Sequence, residues 1–502
     1  MLASVATFAL EGIDTRRVTV EADLRRGLPV FTVVGLPDAA VREARERVRA
    51  ALLNSDLEFP LQRLTANLAP ADLRKAGPSF DLALAAAVLA ASGQVPPESL
   101  ARCALCGELS LGGALRPVRG VLAVAFGARE AGLERLVVPV ENAGEAALVE
   151  GIEVLGVPDL ASLVALLRGE WRPPAAVPAR SGTDEPPAED LADVRGQADA
   201  KRGLEIAAAG AHNLLMVGPP GVGKTTLARR LTGILPAPSF EEAVEITRVH
   251  SVAGLSDGRL VRRRPFRAPH HTISSSGLVG GGATPRPGEI TLAHRGVLFL
   301  DELPEFSRRA LEALRQPLES GRIEVSRAGR ALTFPAATML VGACNRCPCA
   351  RPRDECVCND VDRTRYARRL SGPLLDRIDL VCELEPASPV RLVDDRRTEE
   401  GTAVVRERVA IARERQKRRL GGTATLANAD MDVRATHRHA RLDGRAKTRM
   451  LEGDARGALS GRGHDRVLRI ARTIADLAGR ERIADEDIEE ALGFRLGAEA
   501  AA

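Results

Sequence analysis

Residues Gly218, Pro219, Pro220, Gly221, Val222, Gly223, Lys224 and Thr225 constrain this chain more than any other stretch. The run before them, Leu214–Val217, is apolar and of strand length, and Thr226–Leu231 after them reads as a helix. Strand, glycine-rich loop and helix in that order make a phosphate cradle. The glycines let backbone N–H groups turn inward, and the helix N-terminus faces a polyphosphate. Lys224 then reaches the β- and γ-phosphates, Thr225 holds Mg²⁺, and Thr226 completes the nucleotide-binding set. The chain prefers arginine and holds few lysines, so a lysine here is informative. The implied core is a P-loop α/β fold with a parallel sheet.

A nucleotide site of this kind needs acids at a second strand end, and they are present. The apolar run Val297–Leu300 leads into Asp301 and Glu302. Asp301 is expected in the Mg²⁺ shell and Glu302 as the general base that polarises the attacking water. A third apolar run, Thr338–Gly342, leads towards Asn345, whose amide can orient that water; an ordinary loop asparagine is the alternative. Within Leu370–Asp379, Arg377 is the candidate for a positive charge delivered to a neighbouring copy's site. Its structural alternative is an ion pair with Asp376 or Asp379. Arg462 and Arg469 share a helical face and are candidates for a second nucleotide sensor.

At 502 residues the chain is too long for one ordinary core. Residues 1–170 alternate strand-like and Ala-rich helical runs, the pattern of a mixed α/β domain. Val30–Val34 reads as a strand, and Asp38 caps a helix with Val41, Ala44, Val48 and Leu52 on one face. Arg135–Pro139 and Ile152–Gly156 read as further strands. Pro173, Pro174, Pro178, Pro186 and Pro187 mark 171–190 as a linker. The ATPase core is expected over 191–385 and an Arg-rich helical region over 386–502. Aromatic residues are only 3% of the chain, which argues against extensive stacking on single-stranded bases. The net charge of +4 is too mild to identify a polyanionic partner. No secretory signal is visible, and Leu82–Ala91 is too short to cross a bilayer, so a cytoplasmic protein without a membrane partner is expected. In a reducing compartment, clustered cysteines suggest metal or packing before disulfides.

Cys347, Cys349, Cys356 and Cys358 form two close pairs that can surround a tetrahedral Zn²⁺; four free thiols are the alternative. Cys103, Cys106, Cys344 and Cys382 read as core residues. The stretch Pro317–Phe334 reads as a β-hairpin with Arg327 and Arg330 at its turn. His270 and His271 lack a third ligand at suitable spacing, so a phosphate-facing or loop-structural role is expected. The mixed-charge run Arg406–Arg419 reads as a solvated helix or a DNA contact.

Taken together, Gly218–Thr225, Gly296–Glu302, Asn345 and Leu370–Asp379 resemble an AAA+ ATPase of the magnesium-chelatase-like group. The stretches Arg264–Ser274, Pro287–Gly296 and Val34–Ala44 narrow the resemblance to the YifB/ComM family across nearly the whole chain. That resemblance implies a Lon-protease-like α+β N-terminal domain, an AAA+ motor using ATP and Mg²⁺, and a helical C-terminal lid. It also implies a homo-hexameric DNA branch-migration helicase of natural transformation, acting on single-stranded or branched DNA. In it the hairpin of Arg327 and Arg330 lines a ring pore and grips phosphates without reading bases. Lys75–Asp81 resembles the catalytic serine segment of Lon proteases, with Ser79 at the nucleophile position, but Leu122 stands at the lysine position. A serine without a base is a weak nucleophile, so no peptidase activity is expected, and Ser79 is expected to cap the helix that follows. The alternative function is a magnesium-chelatase-type remodelling ATPase acting on protein partners.

Overall fold

A computed structural model of the chain describes residues 1–179, 189–282, 285–327, 330–351, 355–370, 372–386, 399–421, 427–455 and 461–501. They divide into two compact units. One comprises Met1–Thr183 with Phe240–Arg262 and Ser326–Thr333; the other comprises Asp184–Ser239, Arg263–Val325 and Phe334–Ala502.

The first unit is built on a mixed seven-stranded sheet. Its strands are β1 (Leu2–Glu11), β2 (Asp14–Arg25), β3 (Val30–Val34), β4 (Arg63–Ala69), β5 (Cys103–Leu105), β6 (Arg135–Pro139) and β7 (Glu153–Val157), in the order β3-β4-β2-β1-β5-β6-β7. Period-two alternation sets the buried face: Leu64, Ala66 and Leu68 of β4 point into the core, while Arg63 is exposed. Helix α1 (Ala39–Asn54) starts at Asp38, whose Oδ1 accepts from Val41 N at 2.8 Å. Val41, Ala44, Val48 and Leu52 form its buried stripe, as their spacing predicts.

Helix α2 (Asp81–Ala91) is buried on every side, which explains an apolar run with no polar face. It is not capped by Ser79. A short 3₁₀ turn, Pro78–Phe80, leads into it and Phe80 takes the cap position without a side-chain bond. The polar contact of the first turn comes instead from Asp81, which accepts two hydrogen bonds from Arg47 at 2.7 and 2.9 Å. Leu122 is fully buried on α3 (Val121–Glu130). The helix Phe240–Ala253 belongs to this unit although chain order would put it with the phosphate loop: Gly120 N donates to Ser251 O at 3.2 Å.

The second unit holds a five-stranded sheet. Its strands are β8 (Leu214–Val217), β9 (Phe266–Arg267), β10 (Val297–Leu300), β13 (Met339–Cys344) and β14 (Leu380–Glu383), in the order β9-β10-β13-β8-β14. All four pairings are parallel. Every residue of β8, β10 and β13 is buried, as expected for parallel strands covered on both faces. A separate two-stranded sheet pairs β11 (Arg322–Arg327) with β12 (Arg330–Pro335). The predicted hairpin is therefore shorter than Pro317–Phe334 at its start. Residues 317–320 close the helix Arg315–Ser320, which ends at Gly321 with φ 64°.

The C-terminal helices share one hydrophobic core with this sheet. Val405, Val409 and Ala412 of α6 (Thr402–Leu420) and Val467, Ile470 and Ile474 of α7 (Gly461–Leu477) join Leu204 and Ile206 of α4 (Ala198–Gly210) and Leu214 of β8. The arginines of α6 are neither simply solvated nor a free basic strip. Arg406 donates to Gly233 O at 2.7 Å, Arg408 to Glu205 at 2.6 Å and Arg413 to Ala208 O at 2.9 Å. Arg419 forms a two-pronged pair with Asp476 at 2.7 and 2.6 Å. Asp476 also accepts from Asn428 at 2.9 Å and pairs with Arg472 at 3.0 Å, and both Asp476 and Arg472 are 1% exposed. Removing one member of such a buried set strands the charges left behind. Asp476→Ala is expected to destabilise the second unit by about 3–5 kcal/mol, measured as a lower urea midpoint at an unchanged slope.

Candidate nucleotide site

Parallel pairing puts the carboxyl ends of β8, β10, β13 and β14 on one edge of the sheet. The register aligns Val217 with Cys344 on one side and with Glu383 on the other, and Leu300 with Gly342. The phosphate loop, the acidic pair and Asn345 therefore leave the sheet side by side. Helix α5 (Lys224–Ile234) starts at the lysine itself. Gly221 and Gly223 take φ of 78° and 94°, the left-handed region that glycine enters without a Cβ penalty. Gly218 is required for a different reason: a Cβ there would lie 2.6 Å from the Leu384 carbonyl oxygen. Pro220, Gly221, Thr225 and Thr226 are exposed, Pro219, Val222 and Gly223 are half-buried, and Lys224 is buried.

The Lys224 ammonium donates to Gly218 O at 2.7 Å, Pro219 O at 2.9 Å and Asn345 Oδ1 at 3.1 Å. Burial lowers its pKa, and Asp301 opposes that shift. Thr225 Oγ1 donates to Asp301 Oδ2 at 2.7 Å. A hydroxyl and a carboxylate at that separation are the donor set a hard divalent cation takes, so the residues fit Mg²⁺. Glu302 sits at φ 51°, left-handed for a residue with a side chain, and strain of that kind concentrates at functional sites. Its carboxylate lies 3.3 Å from Nδ1 of His271. His271 was expected to serve a loop or a phosphate; its contact with the acidic residue was not legible, because nothing local links the two positions. His270 bonds to Thr272 at 2.9 Å.

Arg377 pairs with Glu319 at 2.7 Å and donates to Pro373 O at 2.6 Å and Arg315 O at 3.1 Å. Neither neighbouring acid is its partner. Asp379 lies 3.3 Å from His212 Nδ1 and 3.6 Å from Arg466, and Asp376 lies 4.0 Å from Arg466. Burial raises the Asp379 pKa, but the hydrogen bond to His212 and the charges of Arg469 and Arg466 hold it below the ordinary carboxylate value. Arg466 is the residue the sequence reading missed on α7. It lies between Arg462 and Arg469 at helical spacing, which was the available signal. Arg462 is exposed in the first turn of α7, and Arg469 donates to Ala429 O at 2.8 Å.

Arg327 ends β11 and Arg330 begins β12; their side chains and the turn at 328–329 lie outside the described residues. Cys103, Cys106, Cys344 and Cys382 are buried, and burial pushes each thiol up to about 12, as for packed core residues. In the N-terminal unit the Lys75 ammonium is bound to Pro70 O. No helix among the described residues is long and apolar enough to cross a membrane.

The chain is similar to known proteins over nearly its whole length. The family described as "Magnesium chelatase, subunit ChlI" matches residues 190–392, "Subunit ChlI of Mg-chelatase" matches 20–142, and "Magnesium chelatase, subunit ChlI C-terminal" matches 399–495. The protein YifB of Escherichia coli is 43% identical over 497 residues, covering 98% of this chain and 97% of that one. Competence protein ComM of Haemophilus influenzae is 43% identical over 510 residues, again 98% and 97% of the two chains. Likeness to Lon protease 2 of Bacillus subtilis is partial: 32% identity over 139 residues, 26% of this chain and 25% of that one. With full-length relatives at this identity and a parallel sheet carrying the P-loop, the acidic pair and the strand-end asparagine on one edge, the chain belongs to the YifB/ComM family of magnesium-chelatase-like AAA+ proteins.

Proposed function

We propose that the protein is an ATP-hydrolysing ring motor that acts on DNA and moves branch points during recombination. The observation that supports it most is the convergence of Lys224, Thr225, Asp301, Glu302 and Asn345 at one sheet edge, with Thr225 and Asp301 2.7 Å apart. Lys224 holds the β- and γ-phosphates with the loop N–H groups of Gly218–Gly223, and Thr226 adds to that contact. Thr225 and Asp301 would hold Mg²⁺, which when bound would supply positive charge beside the phosphates. Glu302 accepts the proton of the attacking water, and Asn345 orients that water. Arg377 completes the site of the next copy, which makes the active form a homo-oligomer, a hexamer in this reading. Arg462, exposed on α7, is the second-sensor candidate.

The DNA assignment rests on family membership and on one name: the Haemophilus influenzae relative is a competence protein. Arg327 and Arg330, at the two ends of the β11–β12 turn, are the residues we assign to phosphate contact. The test is migration of a three- or four-stranded DNA junction by purified protein. Wild type is expected to move the junction only with ATP and Mg²⁺, and Lys224→Ala is expected not to. If wild type hydrolyses ATP and moves no junction, the DNA reading is wrong while the ATPase reading stands.

A further inference from the structure

The loop that follows Asn345 has almost nothing to fold around. Among the described residues of 346–359, Cys347 is the single buried side chain, and Val357 is 70% exposed. Yet its four cysteines come together. Cys347 Sγ lies 3.4 Å from Cys349 Sγ and 3.6 Å from Cys356 Sγ, and Cys349 and Cys356 are 3.8 Å apart. With Cys358, all four sulfur atoms lie within 4.8 Å of one another. A tetrahedral zinc with bonds of about 2.3 Å has sulfur–sulfur edges of about 3.8 Å. An iron–sulfur cluster sets its cysteines farther apart, because iron and sulfide ions fill the space between them. Disulfides would hold two pairs at bonding distance, and each of these cysteines is free.

We propose that Cys347, Cys349, Cys356 and Cys358 bind one structural Zn²⁺ that staples this loop. Four thiolates on one divalent ion leave an excess of two negative charges, and the surroundings answer it. The Arg363 guanidinium donates to Cys356 Sγ at 3.5 Å, the kind of outer contact that orients a ligand. The staple replaces the apolar burial the loop lacks, and four protein ligands leave no open position for catalysis. Starting at Cys347, directly after Asn345 and Arg346, it joins the end of β13 to the helix Asp360–Ala367, whose start is fixed by the reciprocal bonds of Asn359 and Asp362.

The test is metal content of the full-length protein, purified under reducing conditions without a metal-affinity step. Wild type is expected to carry one zinc per chain by elemental analysis, and Cys103→Ser to keep it. Cys356→Ser combined with Cys358→Ser is expected to lose at least nine-tenths of it. Because that variant can fail to fold, wild type is also stripped with a mercurial, reduced and reloaded with Co²⁺. The intense d–d bands and thiolate charge transfer of a tetrahedral four-sulfur site are expected. Trypsin is expected to cut after Arg346, next to Cys347, in the stripped protein and not in the zinc form. A protein without stoichiometric metal whose cobalt form lacks those bands overturns the proposal, and so does iron in place of zinc. None of these readouts depends on ATP turnover or on DNA.

Discussion

Arg377→Ala is expected to lower kcat for ATP by about 10³–10⁵-fold, the range over which a finger arginine acts on a phosphoryl transition state, with nucleotide binding unchanged. The guanidinium is held by Glu319 and by the carbonyls of Pro373 and Arg315, all within its own chain. These contacts hold the Arg377 side chain at the end of the Gly372–Leu375 helix, and Glu319 is the group it must leave or share to meet a phosphate. The decisive measurement is mixing. In assembled protein, Lys224→Ala copies supply an intact Arg377, and Arg377→Ala copies supply an intact phosphate loop. An equimolar mixture is expected to regain turnover that neither variant has alone. Parental turnover by Arg377→Ala, in protein that binds nucleotide and assembles normally, would overturn the shared-site reading.

Glu302→Gln is expected to slow hydrolysis by about 10²–10⁴-fold, the usual contribution of a positioned general base, while ATP binding is retained. Amide for carboxylate keeps the shape at φ 51° and removes only the proton acceptor. Burst analysis with labelled ATP should show tight binding and slow turnover, so the loss appears in kcat rather than in affinity. The contact with His271 at 3.3 Å sharpens this test, since the imidazole faces the same carboxylate. His271→Ala is a useful companion: a change in turnover much smaller than that of Glu302→Gln assigns the proton transfer to the carboxylate.

The parts of the candidate site were legible in the sequence because each is a short contiguous run. Glycines at 218, 221 and 223 next to Lys224, an apolar strand ending in Asp301 and Glu302, and two pairs of cysteines each lie within twelve residues. Helix α1 was equally legible, since Asp38 and a stripe at helical spacing act through contacts three or four residues away. The Ala-rich run after Ser79 was harder. Its cap depends on a 3₁₀ turn, and its buried carboxylate depends on Arg47 of another helix.

Only the tertiary structure decided what lies beside what. The strand order seats β13 between β10 and β8, and so brings Asn345 to Lys224 across 121 residues of chain. The same kind of long-range choice gave His271 to Glu302, Glu319 to Arg377 and Asp476 to Arg419. It also drew Phe240–Arg262 into the N-terminal unit. A charge in a sequence states its sign but not its counter-ion. The partner is chosen by which surfaces the buried apolar faces press together, and that choice is made by the whole fold at once.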